Sequence, residues 1–485
     1  MKFNFKAILD IMGILLLLNG CFMLLCLPFS IYYDSGDWQA ISYSAGITLT
    51  VGLFLRLATK NRKNKDLKKR DGYIIVTFGW IVLSLFGTLP FLLSGSIPNF
   101  TNAFFETISG FTTTGASILN DIEAVPKGIL FWRSLTQWIG GMGIIVLAVA
   151  ILPLLGIGGM QLFVAEAPGI TPDKLQPRIS ETAKRLWYIY LGLTVAQTGM
   201  LMLGGIDFYD SINHALTTMA TGGFSTKNDS VAHYTSPYIQ YVFIFFMFLA
   251  GTSFTLIYFA LKRNLKKIRS NEEFKVYTTF IAVITVIASV TILVVTDQGV
   301  EASFRQGLFQ VVSLVTTTGF VSADYTAWAP FLTVLFFILL FVGGSAGSTA
   351  GGVKIIRHVV LFKNSFLELK RQLHPAAVIP VRISGKAVEQ KIVFNVLAFI
   401  MIYILIFLVG TILLSAMNVD FDTAFGAVAT SLGNVGPGIG QVGPLNNFAE
   451  MPLMGKWLLT LLMLLGRLEL FTVLMLLSPH FWKKN

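Results

Sequence analysis

Four short segments set glycine among small and hydroxylated residues: Phe111-Thr112-Thr113-Thr114-Gly115-Ala116, Thr218-Met219-Ala220-Thr221-Gly222-Gly223, Val315-Thr316-Thr317-Thr318-Gly319-Phe320 and Leu432-Gly433-Asn434-Val435-Gly436-Pro437. With Gly115, Gly222, Gly319 and Gly436 taken as equivalent, they recur about every 100 residues. Such residues leave backbone carbonyls accessible, and the chemistry they could do is ion coordination. Four loops on one polypeptide would ring a cation with carbonyl oxygens in place of its water. Glycine clusters are also ordinary in membrane helices, but four copies in one context point to a shared role.

The elements that must position these loops are membrane helices. The chain is 54% hydrophobic and only 13% charged, about half the charged share of a soluble chain, and its mean hydropathy is +0.71. Apolar runs near 8–33, 38–58, 73–94, 129–157, 185–205, 237–261, 275–296, 330–342 continuing past 353, 392–416 and 453–479 give about ten spans. Of the 36 Lys and Arg residues, only Lys127, Arg133, Lys227, Arg305, Lys456 and Arg467 fall outside the N-terminus, 56–70, 174–185, 262–275, 354–391 and the C-terminus. Crossing every span once puts those basic places on one side, which the positive-inside rule names the cytoplasm. The net charge of +11 is thus a topology signal and not a nucleic-acid footprint, and both termini are expected inside. Cys21 and Cys26 lie in the first run, read as a retained span, and are expected to be packing residues.

Between some spans lie shorter stretches, from about Asn102 to Thr112, Tyr209 to Ala220, Ala302 to Thr316 and Phe421 to Leu432, too short to cross the hydrocarbon as helices. They are expected to be re-entrant half-helices. Glu106, Asp207, Asp210, Glu301 and Asp422 sit near their starts, where carboxylates cap or complement the helix dipole. The C-terminal ends then point at the glycine segments, and their partial negative charge favours a cation. Non-helical backbone at membrane depth must be protein-buried or line a water-filled cavity.

The fourfold membrane–pore–membrane pattern with single-glycine loops, preceded by two extra spans, resembles the Trk/Ktr/HKT superfamily of potassium transporters over essentially the whole chain. The resemblance implies an all-α polytopic membrane protein: an N-terminal helix pair (1–70), then four pseudo-symmetric helix–pore loop–helix repeats at 71–165, 166–270, 271–372 and 373–485. It implies a potassium filter of Thr112, Thr113, Thr114 and Gly115; Ala220, Thr221, Gly222 and Gly223; Thr316, Thr317, Thr318 and Gly319; and Asn434, Val435 and Gly436. Glycine at Gly115 goes with potassium in the family, where some sodium-preferring relatives carry serine. The fourth segment departs, with Asn434 and Val435 for threonines and Pro437 after the glycine. The resemblance also implies a bacterial inner membrane, a homodimer and a separate cytosolic nucleotide-binding (NAD or ATP) regulatory ring of TrkA type, with potassium as cargo and no cofactor.

The third repeat's second helix is interrupted by Gly343, Gly344, Ser345, Ala346, Gly347, Ser348, Thr349, Ala350, Gly351 and Gly352. A helix does not run easily through so many glycines, so a break is expected at mid-membrane. It reads as a close-packing hinge or as a mobile gate, and the resemblance favours the gate. Arg467 stands inside the last apolar run, where a charge must find carbonyls, water or a carboxylate; Glu469, two residues on, does not share its helix face. Relatives place an arginine in the pore. Gly343 to Gly347 also fits the G-x-S-x-G pattern of serine hydrolases with Ser345 as nucleophile, but that elbow needs a preceding strand and a histidine base. Gly436-Pro437-Gly438-Ile439-Gly440 lacks the setting of a dinucleotide fingerprint. Symport with sodium or protons is the other alternative, although no carboxylate pair lies in the spans. The basic stretch 354–391 could meet lipid headgroups or an acidic partner.

Overall fold

The computed structural model describes residues 3–60, 69–151 and 179–483. Nearly all of their regular structure is helical. Among the described residues six helices are long and apolar enough to cross a membrane, and two bent pairs bring the number to eight. Of the ten expected spans, the run 129–157 is a helix kinked at Gly143 whose description ends at Ile151, and 330–353 holds only the ten-residue helix Pro330–Leu339.

The first two helices, Phe5–Leu24 and Trp38–Ala58, pack backbone to backbone. A Cβ on Gly13 would fall 2.8 Å from the Gly52 carbonyl oxygen, and one on Gly52 would fall 2.9 Å from that of Gly13. Small residues at a crossing let helices approach without a hydrophobic driving force. Both cysteines are free, with Cys26 buried and Cys21 exposed, so only Cys26 packs as expected.

After this pair one order of elements recurs four times: outer helix, half-helix, glycine segment, inner helix. The outer helices are Lys69–Gly87, Ile179–Leu203, Glu272–Val295 and Gln390–Ser415. The half-helices are Phe100–Phe111, Phe208–Met219, Val300–Val315 and Phe421–Gly433, of 12, 12, 16 and 13 residues. At 1.5 Å per residue they rise about 18 to 24 Å, short of the hydrocarbon thickness. Asn99, Asp207 and Asp420 cap the first, second and fourth through their side chains.

The carboxylates expected at the half-helix starts therefore divide. Asp207 is a cap, Asp210 is buried beside Lys227 and Thr226, and Glu301 pairs with Arg305 four residues on. Glu106 is wholly buried, in an ion pair with Arg133 at 2.7 Å. Its partner lies in the next helix, beyond the reach of a reading along the chain.

Every inner helix is interrupted, and not the third alone. The first kinks at Gly143; the second bends by 106° between Pro237–Ala250 and Phe254–Leu261. The third breaks between Pro330–Leu339 and Ile355–Leu373, and the fourth bends by 119° between Leu453–Arg467 and Phe471–Leu477. Hydropathy runs on through the second and fourth breaks, which hid them in the sequence. Beyond the third inner helix a hairpin pairs Arg382–Ile383 with Lys386–Ala387; Ser384 and Gly385 at its turn both have positive φ, as a two-residue hairpin turn demands.

Candidate functional site

Each half-helix ends in the same turn. The N–H groups of Thr114, Gly222, Thr318 and Val435 reach back to the carbonyls of Ser109, Thr217, Ser313 and Thr430 at 2.9, 2.9, 2.8 and 3.0 Å, the long bond of a Schellman turn. The residue before each donor is left-handed: Thr113 (φ 51), Thr221 (φ 52), Thr317 (φ 54) and Asn434 (φ 52). Two residues later comes a glycine of positive φ: Gly115 (82), Gly223 (74), Gly319 (76) and Gly436 (106). Threonine is a poor occupant of left-handed space, so three of them there mark a backbone held by its surroundings.

The counterpart of Gly115, Gly319 and Gly436 is accordingly Gly223, one residue beyond the expected Gly222. Gly222 is glycine for another reason: a Cβ there would sit 2.4 Å from the amide carbon of Gln137. That amide donates to the Gly222 carbonyl (2.7 Å) and accepts from the Phe224 N–H (3.0 Å), so the first inner helix clamps the second segment.

The four segments close on one another. A Cβ on Gly115 would lie 2.2 Å from the Gly222 carbonyl oxygen, one on Gly223 2.0 Å from that of Thr318, one on Gly319 1.9 Å from that of Val435, and one on Gly436 2.8 Å from that of Thr114. First touches second, second third, third fourth, and fourth first. Within this ring the carbonyls of Thr113, Thr221, Thr317 and Asn434 accept no hydrogen bond among the described residues. Buried carbonyls left open in this way are costly unless something else completes them.

The side chains beneath differ by corner. Thr112 and Thr316 return their hydroxyls to Ile108 and Val312 and meet Thr114 and Thr318 at 2.7 Å. Asn434 instead reaches across the seam, donating to the Thr114 hydroxyl and to the Met463 carbonyl, both at 2.9 Å. The fourth corner has exchanged a threonine's local bond for a tie to the first.

The loop Gly343–Gly352 lies directly against this ring. The Gly351 N–H donates to the Thr317 hydroxyl (2.6 Å), and a Cβ on Gly351 would be 2.8 Å from the Gly433 carbonyl oxygen. Further bonds run to the bend of the second inner helix, Ser345 N–H to the Gly251 carbonyl (2.9 Å), Phe254 N–H to the Gly347 carbonyl (3.0 Å) and the Thr349 hydroxyl to the Ala250 carbonyl (3.2 Å), and the same hydroxyl reaches the Met219 carbonyl at the end of the second half-helix (2.9 Å). Glu273, from the third outer helix, accepts the Ala346 N–H at 2.7 Å. Arg467 completes the set, donating to the Thr349 carbonyl (2.9 Å) and to the Gly140 (2.6 Å) and Gly141 (3.1 Å) carbonyls beside the first kink. Glu469 pairs with Arg357, and the Lys354 ammonium bonds the Ala350 carbonyl. In the segment between the first half-helix and the first inner helix, Asp121 accepts from the Asn228 amide (3.1 Å), which, above its backbone bonds, holds its carboxyl below the ordinary range.

A family model described as a cation transport protein, TrkH, matches residues 39–484. The chain belongs to the TrkH cation transport family. The potassium uptake protein TrkH of the Trk system of Escherichia coli K12 is 42% identical over 99% of this chain and all of that one, and that of Halomonas elongata is 40% identical over 99% and 100%. The crystal structure of the potassium transporter TrkH from Vibrio parahaemolyticus matches with a TM-score of 0.89 at 39% identity, covering 99% of this chain and all of that chain.

As a TrkH-family chain the protein is a transporter and not an enzyme. In keeping with that, Ser345 follows a short helix and a turn, not a strand, and its buried hydroxyl meets no partner among the described residues. The structure brings the expected ring residues together and the expected loop against them, while Arg467 bonds that loop and the first inner helix. Sequence reasoning missed Gln137, Arg133 and Glu273, which act from other helices. It also missed a signal that was present: Ser109, Thr217, Ser313 and Thr430 each stand four residues before the left-handed residue and six before the glycine. That spacing alone selects Gly223.

Proposed function

We propose that the chain carries potassium ions across the membrane along the axis of the four glycine segments, each supplied by one of four repeats. The observation that carries this reading is the cyclic contact among the segments, Gly115 to Gly222, Gly223 to Thr318, Gly319 to Val435 and Gly436 to Thr114. Alternating right- and left-handed residues turn successive carbonyls toward one side of a chain, and four such chains replace the water of a potassium ion. The half-helices aim their C-terminal ends at the same point and add partial negative charge. Relatives named as potassium uptake proteins support the choice of ion.

In this reading the loop 343–352 is the gate, in its closed position against Thr317 and Gly433, and Arg467 holds it there while its charge repels a cation from the path. The same reading takes both termini as cytoplasmic, the working form as a homodimer and its regulator as a cytosolic nucleotide-binding ring. The test is flux of potassium, rubidium and sodium through purified protein in liposomes, with and without an imposed proton gradient. Potassium flux that follows its own gradient alone is expected. Shortening the loop between Gly344 and Gly351 raises that flux; a folded variant with lower or unchanged flux refutes the gate, and obligatory movement of a second ion refutes the channel in favour of symport.

A further inference from the structure

Seven residues before the left-handed position of each segment stand Glu106, His214, Gln310 and Ala427, all fully buried. The first three do the same work with different chemistry. Glu106 accepts from the Ser117 hydroxyl and the Ile118 N–H, both at 2.9 Å. His214 holds its Nδ1 against the Asp210 carbonyl (2.7 Å), which fixes that nitrogen as donor and leaves Nε2 to accept from the Ser225 hydroxyl (2.9 Å). Gln310 donates to the Ala323 carbonyl (3.2 Å) and toward the Ser322 hydroxyl (3.4 Å). In each of these three corners the half-helix, about one and a half turns before its end, is strapped to the limb leaving the ring.

The fourth corner has no side chain for this. Ala427 gives way to backbone contact: a Cβ on Gly426 would lie 2.5 Å from the Ile439 nitrogen, and one on Gly438 2.9 Å from the Gly426 carbonyl carbon. Arg133 joins two corners by donating to Glu106 at 2.7 Å and to the Ser225 carbonyl at 2.9 Å, with its guanidinium over the Phe224 ring. The ring thus has three polar struts and one glycine seam, and neither end of any strut is one of the ring's own carbonyl-bearing residues.

We infer that Glu106, His214 and Gln310 are positioning residues for ion selection: they fix how far the glycine segments can spread, and so how strongly the ring prefers the ion that fits it. The inference rests on the ring being the ion path. Spreading matters because discrimination depends on the number and stiffness of the coordinating carbonyls, and a strut that bonds both limbs of a loop resists it without touching the ion.

The test compares reversal potentials of reconstituted wild type, His214→Ala, His214→Gln and Gln310→Ala in mixed potassium and sodium gradients. Glutamine at 214 installs the third corner's strut in the second. The expected result is a several-fold fall in the potassium-to-sodium permeability ratio for both alanine variants, with potassium flux retained, and a ratio restored toward wild type by His214→Gln. Where His214→Ala does not assemble, Ser225→Ala cuts the same bond from the loop side and is read in its place. An unchanged ratio in the folded alanine or Ser225→Ala variants, or His214→Gln behaving like His214→Ala, overturns the strut. A wild type that passes no potassium overturns instead the ion-path reading, and a ratio that falls for Gly223→Ala but not for the strut variants leaves the path standing without the struts.

Discussion

Replacing Gly223 and replacing Gly222 by alanine are expected to differ sharply, and the structure says by how much. At Gly223 the new Cβ would stand 2.0 Å from the Thr318 carbonyl oxygen, 1.4 Å inside the 3.4 Å where ordinary contact begins. That oxygen is backbone of the neighbouring corner and cannot rotate away. The φ of 74° adds about 1–2 kcal/mol for a residue with a Cβ. At Gly222 the obstruction is the Gln137 amide, 2.4 to 2.7 Å away, the far end of a side chain. Moving it forfeits two hydrogen bonds of about 1 kcal/mol each but leaves the ring contacts in place. If the strain at Gly223 is relieved by spreading the ring and about 1.4 kcal/mol of it appears as lost discrimination, the permeability ratio falls about tenfold. Gly222→Ala should change it about threefold or less while lowering thermal stability. The assay is the reversal potential of proteoliposomes beside a melting curve in detergent. Equal effects on the ratio, or a larger one at Gly222, would refute the register that makes Gly223 the ring glycine of the second segment.

Asn434→Ala removes the bonds to Thr114 and Met463 and should cost about 2 kcal/mol, read as a lower melting temperature; no change means the seam is closed by other contacts. Glu106→Leu leaves Arg133 buried and unpaired, a loss of about 3–5 kcal/mol, whereas adding Arg133→Met recovers much of it. A double variant no better folded than the single shows that the pair is not what costs. Glu273→Ala frees the Ala346 N–H and should speed hydrogen exchange through 344–351 with little effect at the ring; exchange unchanged across the loop denies Glu273 a part in holding it.

What the sequence shows of this protein follows from the range of the forces involved. The half-helices were legible because their length and flanking runs are local, and the loop because five glycines in ten residues exclude a helix. The register of the second segment was not read correctly: Gly222 and Gly223 are adjacent, and the choice between them lies in the turn geometry that Thr217 and Thr221 complete. Glu106 read as a dipole residue because Arg133, in the next helix, neutralises it across space. The bends after Ala250 and Arg467 left no trace in hydropathy, since Thr252, Ser253 and Glu469 are too few to interrupt an apolar average. Asn434 was visible as a departure from threonine, but its tie to Thr114 spans most of the chain.

The loop bears on how the molecule is made. Its peptide groups find partners on Gly251 and Ala250 of the second inner helix, on Glu273 of the third outer helix and on Arg467 near the end of the chain. Polar backbone inside a membrane has no water to fall back on. A nascent chain that has delivered only three repeats therefore holds a loop whose Thr349 carbonyl awaits a guanidinium not yet synthesised, beside a seam that Asn434 has not yet tied. Completion of the last helix is what makes the interior chemically whole, and a chain that stops short of it exposes unpaired peptide groups.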